Sequence, residues 1–290
     1  MTATTVLAPL GVPVRFFDWR GYRIALHEAG SGPTVLLVHS INAAAGSHEL
    51  RRPFAHLQQH YRVVALDLIG FGDSDRPDIV YDAALYSALI ADVARHLGGV
   101  FCLYAVSLAG AYACTAAVTV GALVERLMLI CPTGLEDLVT PKSPQTWLRG
   151  PIGRVLFRGL VTRGSIRYFL QSTTYASPAA LDDAMSAAFV RAAQRPGAAY
   201  APLCFVAMVS NCDLRPVLPL LTQPVHIVWG AEARTTPPTR LPAFLAALPQ
   251  ATSAVFAGSM AVHDENAAAV AASVDAFFAQ TTGKPSEQGA

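Results

Sequence analysis

The sequence predicts an α/β fold, a mostly parallel, doubly wound sheet with a helical insertion lying over it. Short β-branched runs alternate with helical stretches, and parallel strands need such crossovers. The alternation stops between Gly134 and about Arg215, where proline-punctuated helical pieces replace the strands. With 290 residues, 53% of them hydrophobic and only 14% charged, the chain has ample material for a large core, which excludes intrinsic disorder.

The elements read in order. Val14 to Trp19 and Tyr22 to His27 are strand-like and open the chain. After the turn Ala29-Gly30-Ser31-Gly32, Thr34 to Val38 is a short β-branched run of the kind found in a fully buried strand. Ser47 to His60 has helical spacing, and Arg62 to Leu66 is a second buried strand ending in Asp67. Tyr86 to Leu97 is helical, Val100 to Ala105 a third buried strand, and Ser107 to Val120 a small-residue helix. Leu127 to Cys131, Val225 to Trp229 and Ser253 to Phe256 complete the strands, with helices over Leu241 to Leu248 and Asn266 to Ala279. The expected organisation is a core of residues 1–133 and 216–280, a helical cap at 134–215, and a frayed polar tail at 281–290.

Composition narrows the function. Twenty-one basic against 20 acidic residues give a net charge of +1, so no nucleic-acid partner is expected. Five cysteines, an odd number without repeating spacing, read as free thiols of a reducing, cytoplasmic compartment. Met1 to Leu10 lacks the features of a signal peptide. Leu97 to Val124 carries no charge and is long enough to span a bilayer. It begins at Gly98-Gly99, however, and contains Ser107, Gly110 and Tyr112. A buried strand followed by a buried helix has the same hydropathy, so no stable membrane insertion is expected. The histidines are scattered singly and no phosphate-binding glycine loop is present. Neither a metal nor a cofactor is expected.

The chemistry centres on Ala105-Val106-Ser107-Leu108-Ala109-Gly110, between a buried strand and a helix. A serine flanked by small residues on such a turn forms a nucleophile elbow. The N–H of Leu108, at the helix start, would face the oxygen of a bound acyl group. Further segments agree: His39-Ser40-Ile41-Asn42 after the first buried strand, Asp67-Leu68-Ile69-Gly70-Phe71-Gly72-Asp73-Ser74 after the second, Trp229-Gly230 ending a late strand, and Glu265-Asn266 before the last helix. Together these resemble the α/β-hydrolase superfamily, in its capped esterase, C–C hydrolase and dehalogenase-like branch, over nearly the whole chain. The resemblance implies that Ile41 supplies a second oxyanion N–H. It also implies that His39 orients the oxyanion loop, and that His39, Ser40 and Asn42 lie at the pocket.

The chain departs from that family at two positions. The acid expected three residues after Gly230 is Ala233, and the expected histidine position holds Met260, with His263 at the place of a second, usually non-catalytic histidine. His263 is the candidate replacement base and Glu232 the candidate acid that steers it. Glu136, Asp137 and Asp213 are weaker alternatives for the acid. The expected activity is serine-nucleophile hydrolysis of a small ester, thioester or related acyl compound. The alternatives are a non-hydrolytic lyase or cyclase, or an inactive binding protein. Between Leu138 and Arg195 eight cations face only Asp182 and Asp183. With Arg154/Arg158 and Arg163/Arg167 spaced four apart, the expected partner is a small-molecule substrate, anionic or presented by an acidic carrier protein.

Overall fold

A computed structural model describes residues 10–136 and 148–280. Residues 1–9, the expected tail 281–290, and Asp137, Pro141, Lys142 and Pro144 lie outside the described residues. Eight strands form one sheet: β1 (Val14–Trp19), β2 (Tyr22–Ala29), β3 (Thr34–Val38), β4 (Arg62–Leu66), β5 (Phe101–Val106), β6 (Val124–Ile130), β7 (Val225–Gly230) and β8 (Thr252–Phe256). Their order is β1-β2-β4-β3-β5-β6-β7-β8. The pairings β1–β2 and β2–β4 are antiparallel, and all others are parallel. The central strands are buried on both faces, which is why they read as continuous apolar runs rather than alternations. The edge strand β8 is mostly open to solvent.

The helices of the core are α1 (Arg51–Leu57), α2 (Ala83–Leu97), α3 (Leu108–Val120), α8 (Leu241–Ala247), α9 (Val262–Glu265) and α10 (Ala267–Phe278). The uncharged stretch from Leu97 to Val124 resolves into β5 and the 13-residue α3. Among the described residues no helix is long and apolar enough to cross a membrane.

One expected helix is broken. Ser47 to His60 divides into a 3₁₀ turn, Ser47–Leu50, and α1. Pro53 is the cause: it has no N–H to donate to the carbonyl of Glu49 four residues back. That carbonyl is therefore free for another donor.

Between β6 and β7 lie α4 (Pro151–Leu160), α5 (Arg163–Phe169), α6 (Asp183–Ala193) and α7 (Tyr200–Val206). Phe157, Ile166, Leu170, Met185 and Phe189 form a second apolar cluster that meets Ala44 and Ala261 of the core. The insertion thus rests on two loops at the carboxyl edge of the sheet, where open α/β sheets place their sites.

Candidate active site

Ser107 stands between β5 and α3 with φ +56° and ψ −129°, a backbone conformation that costs a non-glycine residue about 1–3 kcal/mol. The turn is held by the Ser107 N–H donating to Ile130 O at 2.8 Å and by Ser107 O accepting from Gly110 N at 2.9 Å. Ala105 and Ala109 on either side are fully buried, so a larger residue at either place would meet packed core. Leu108 is the first residue of α3, and its N–H belongs to the unpaired donors at the positive end of the helix dipole. The N–H of Ile41 donates to no other described residue.

Ser107, Leu108 and Ile41 line one cavity of about 460 Å³ between the sheet edge and the insertion. Phe169, Tyr175, Phe189, Phe205 and Met208 close it from the insertion side. The wall is mainly apolar, with hydroxyl and amide groups at intervals, as small-molecule sites are.

The loop after β3 is a polar lattice built around a residue that spacing does not reveal. The carboxylate of Glu49 accepts from Ser40 N at 3.0 Å and from Asn42 Nδ2 at 2.6 Å. Asn42 Nδ2 also donates to Ser40 Oγ at 2.9 Å, and Asn42 Oδ1 accepts from Ala44 N at 2.8 Å. Both amide hydrogens of Asn42 are therefore used, and it braces the loop rather than offering a donor to substrate. His39 is fully buried. Its Nδ1 lies 2.7 Å from Ser40 O, which can only accept, and its Nε2 takes the N–H of Leu68 at 3.1 Å. These contacts set its tautomer. His39 does not line the cavity as expected; it ties this loop to the one after β4.

His263 is the one imidazole among the described residues lining the cavity. Its Nε2 lies 3.0 Å from Glu49 O, the carbonyl that Pro53 leaves free. A carbonyl only accepts, so Nε2 carries the proton and Nδ1 holds the lone pair. Nδ1 is buried without a hydrogen-bond partner. Burial lowers the His263 pKa, opposed in part by the charges of Asp264 and Glu49, so the ring is neutral near pH 7. Glu232, the expected steering acid, lies elsewhere. It is exposed, its carboxylate accepts from Gly258 N at 2.5 Å, and it joins the ends of β7 and β8. A backbone carbonyl, not a carboxylate, orients His263.

The one-turn helix bearing His263, α9, is held by Arg51. Its guanidinium grips Asp264 in two bonds, 2.8 and 2.9 Å, and reaches Asp182 of the insertion at 2.6 Å. Tyr175 donates to the same Asp264 at 3.0 Å. Burial works against the Arg51 charge, but Asp264 and Asp182 more than offset this and raise its pKa. These partners lie from 89 to 213 residues apart, so only the fold brings them together.

The positions of the missing acid and base are occupied by apolar contacts. Ala233 is buried. Met260 lines the cavity, and its thioether accepts from the buried Thr236 hydroxyl. The Ser107 hydroxyl makes no hydrogen bond to a described residue. Of the weaker candidate acids, Glu136 lines the cavity paired with Arg240, and Asp213 is held by Arg215. Cys131 is buried, and burial pushes its thiol up to about 12, which leaves it inert. All five cysteines are unpaired.

The model of the alpha/beta hydrolase family matches residues 35–273. The chain belongs to the alpha/beta hydrolase family. An uncharacterised protein of Mycobacterium tuberculosis is 28% identical over 275 residues, covering 88% of this chain and 78% of that protein. The 2-hydroxy-6-oxo-6-(2'-aminophenyl)hexa-2,4-dienoic acid hydrolase of Metapseudomonas resinovorans is 33% identical over 132 residues, 43% of this chain and 46% of that enzyme. The crystal structure of a serine hydrolase involved in carbazole degradation superposes with a TM-score of 0.78 at 21% identity, over 92% of this chain and 98% of that one. The family match supports a hydrolase in general, and the solved neighbour shows the same fold.

Proposed function

We propose that the protein is a serine-nucleophile acyl hydrolase, acting on a small ester, thioester or related acyl compound. One observation carries the reading. A strained serine at a helix N-terminus opens into a cavity that is also lined by a neutral histidine with an unpartnered Nδ1. In the proposed reaction Ser107 Oγ attacks the acyl carbon and its proton passes to His263 Nδ1. The N–H groups of Leu108 and Ile41 hold the oxyanion. The tetrahedral adduct then expels the alcohol or thiol, which takes the proton from His263. A water molecule, deprotonated by the same ring, frees the acid and restores Ser107. The Arg240 charge at the cavity wall is neutralised by Glu136, which favours an uncharged acyl group over a carboxylate-bearing one.

A fluorophosphonate probe tests the nucleophile. Wild-type protein is expected to label and Ser107→Ala not to label, with both remaining folded. Equal labelling of the two would reject Ser107. For the base, His263→Gln should lower kcat about 10²-fold or more. The wild-type rate should fall as pH drops through a value below about 6.5, because the folded pKa of His263 is lowered. A flat acid limb would remove histidine from the mechanism.

The apolar replacement of the acid and base positions favours a second reading, a non-hydrolytic lyase, cyclase or binding protein that uses the same cavity. Ligand binding without probe labelling would select it.

A further inference from the structure

We infer that the cap is a membrane-surface docking element, with α4 lying in the headgroup region of an anionic bilayer. The face of α4 turned away from the protein is apolar. Ile152, Val155, Leu156 and Leu160 recur at helical spacing, within an arc of about 140° at about 100° per residue. Ile152, Val155 and Leu160 are each 66–67% exposed. Only Gly153 and Phe157 of this helix are buried. At the end of the next helix, α5, Tyr168 is 75% exposed and Phe169 is half exposed. Scattered surface leucines need no explanation, but a run of large apolar side chains on consecutive helices does.

The charges around this face identify the occupant. From residue 148 to residue 181 there are five arginines and no acid. Arg154 is held by Asp78 of the core, and Arg163 and Arg167 lean on the largely exposed Asp183. Arg158 is exposed and forms no ion pair with a described residue. An aliphatic face with arginines along its flank, followed on the next helix by an exposed tyrosine, matches the chemistry of the bilayer interface, with acyl chains below and anionic headgroups above. A second copy fits poorly, because it would set the same cations against one another. An acidic carrier protein would satisfy the arginines but leave the aliphatic side chains without a partner. Phe169 also lines the cavity, so docking would bring the cavity mouth beside the bilayer, from which an apolar acyl compound could enter. The attachment is interfacial, and α4, with ten residues, does not span. It is independent of the chemistry at Ser107.

The test is co-sedimentation of the full chain with phosphatidylcholine vesicles, with and without phosphatidylglycerol, at low and high salt. Binding is expected only with the anionic lipid and should weaken as salt rises. Val155→Glu combined with Leu160→Glu should abolish it; both positions are solvent-facing, and circular dichroism checks the fold. Arg158→Ser should weaken binding roughly fivefold, the equivalent of about 1 kcal/mol. Ser107→Ala should bind as wild type does, which separates this inference from the hydrolase reading. Failure to bind anionic vesicles overturns the inference. So does binding that ignores both lipid charge and the Glu substitutions. Two further outcomes overturn it without vesicle binding. A dimer dissolved by Val155→Glu would make the face a contact between copies. An acidic carrier protein retained through Arg158 would make it a protein-docking surface.

Discussion

Two loops at the carboxyl edge of the same sheet have opposite character. After β4, the polar groups of Asp67 itself are all committed. Its carboxylate takes His27 Nε2 at 2.8 Å, Ser47 N at 2.7 Å and Asp73 N at 2.8 Å, and its carbonyl takes Ser74 Oγ at 2.6 Å. Gly72 sits so close that a Cβ there would overlap the Asp67 carboxylate. At the ends of β7 and β8 the backbone is packed as tightly, since a Cβ on Gly230 would strike the carbonyl of Ser259. Yet the expected acid and base positions there hold Ala233 and Met260, while Glu232 and Glu265 accept from the backbone N–H groups of Gly258 and Ser259. A loop can therefore keep its path with apolar residues at its catalytic positions, provided backbone packing and carboxylates outside those positions define the path. Where a buried carboxylate defines it, the carboxylate must stay.

The largest expected effect breaks the first loop. Asp67→Asn keeps the volume but sets an amide NH₂ against donors, and should cost about 3–5 kcal/mol in urea unfolding. A loss below about 1 kcal/mol would show that the backbone alone holds this loop. The pair also predicts a pH window. Burial pushes Asp67 up, but His27 and the surrounding donors bring it well below the usual carboxylate range. Its contribution is therefore full above about pH 4 and lost as pH falls through the depressed value. Burial likewise opposes the charge on His27, yet Asp67 raises it overall. That contribution is full below about pH 6.5 and lost as pH rises through the raised value. The stability difference between wild type and His27→Gln should be greatest between these limits.

The second loop can be sharpened by refilling it. Ala233→Asp with Met260→His restores an acid and a base at the family positions. If the preserved backbone still presents position 260 to Ser107, turnover of a small ester should rise about 10²-fold or more. An unchanged rate would mean that the loop has lost its catalytic path along with its catalytic groups.

A smaller effect separates the backbone that orients His263 from the side chains around it. Pro53→Ala supplies an N–H that can compete for Glu49 O. Loss of one net hydrogen bond, about 0.5–1.5 kcal/mol, should slow turnover about twofold to tenfold and leave unfolding midpoints nearly unchanged. Proton NMR of the His263 ring would report the altered contact directly. An unaltered ring signal and rate would show that Pro53 is not what frees the carbonyl.

These contrasts explain what the sequence discloses. The bounds of β3 and β4 follow from short buried apolar runs between turns and those of β1 from a strand-like segment, and all three match residue for residue. The elbow is legible because its requirements are local: a strand, a helix and small neighbours within six residues. The departures at Ala233 and Met260 are equally legible, since they lie beside Gly230 and Gly258. The role of Glu49 is not. It looks like an acid in the first turn of a helix, and nothing in its spacing announces that its carbonyl meets His263 214 residues later. The Arg51–Asp264–Tyr175 cluster is hidden for the same reason. The insertion's arginines read as a free cationic face, but Arg154 and Arg195 are paired with Asp78 and Asp73 of the core. Pairing between the insertion and the core cannot be counted from either segment alone.

The smallest expected effect isolates the elbow itself. Ser107→Ala and Ser107→Gly both remove a hydroxyl that has no hydrogen bond to a described residue. They differ in the backbone, because alanine keeps the Cβ that makes φ +56° costly and glycine does not. Relief of about 1–3 kcal/mol of strain is partly offset by the greater freedom of glycine in the unfolded chain, about 0.5–1 kcal/mol. Ser107→Gly should therefore be more stable than Ser107→Ala by about 1 kcal/mol in chemical denaturation. Both variants should be equally inert to the fluorophosphonate probe. Equal stabilities would mean that the turn is not strained, and that the exposure of Ser107 to the cavity owes nothing to energy stored in the backbone. A glycine advantage would show that the fold bears a cost at this residue although the usual base and acid positions have been given up, which is the behaviour of a nucleophile still in use.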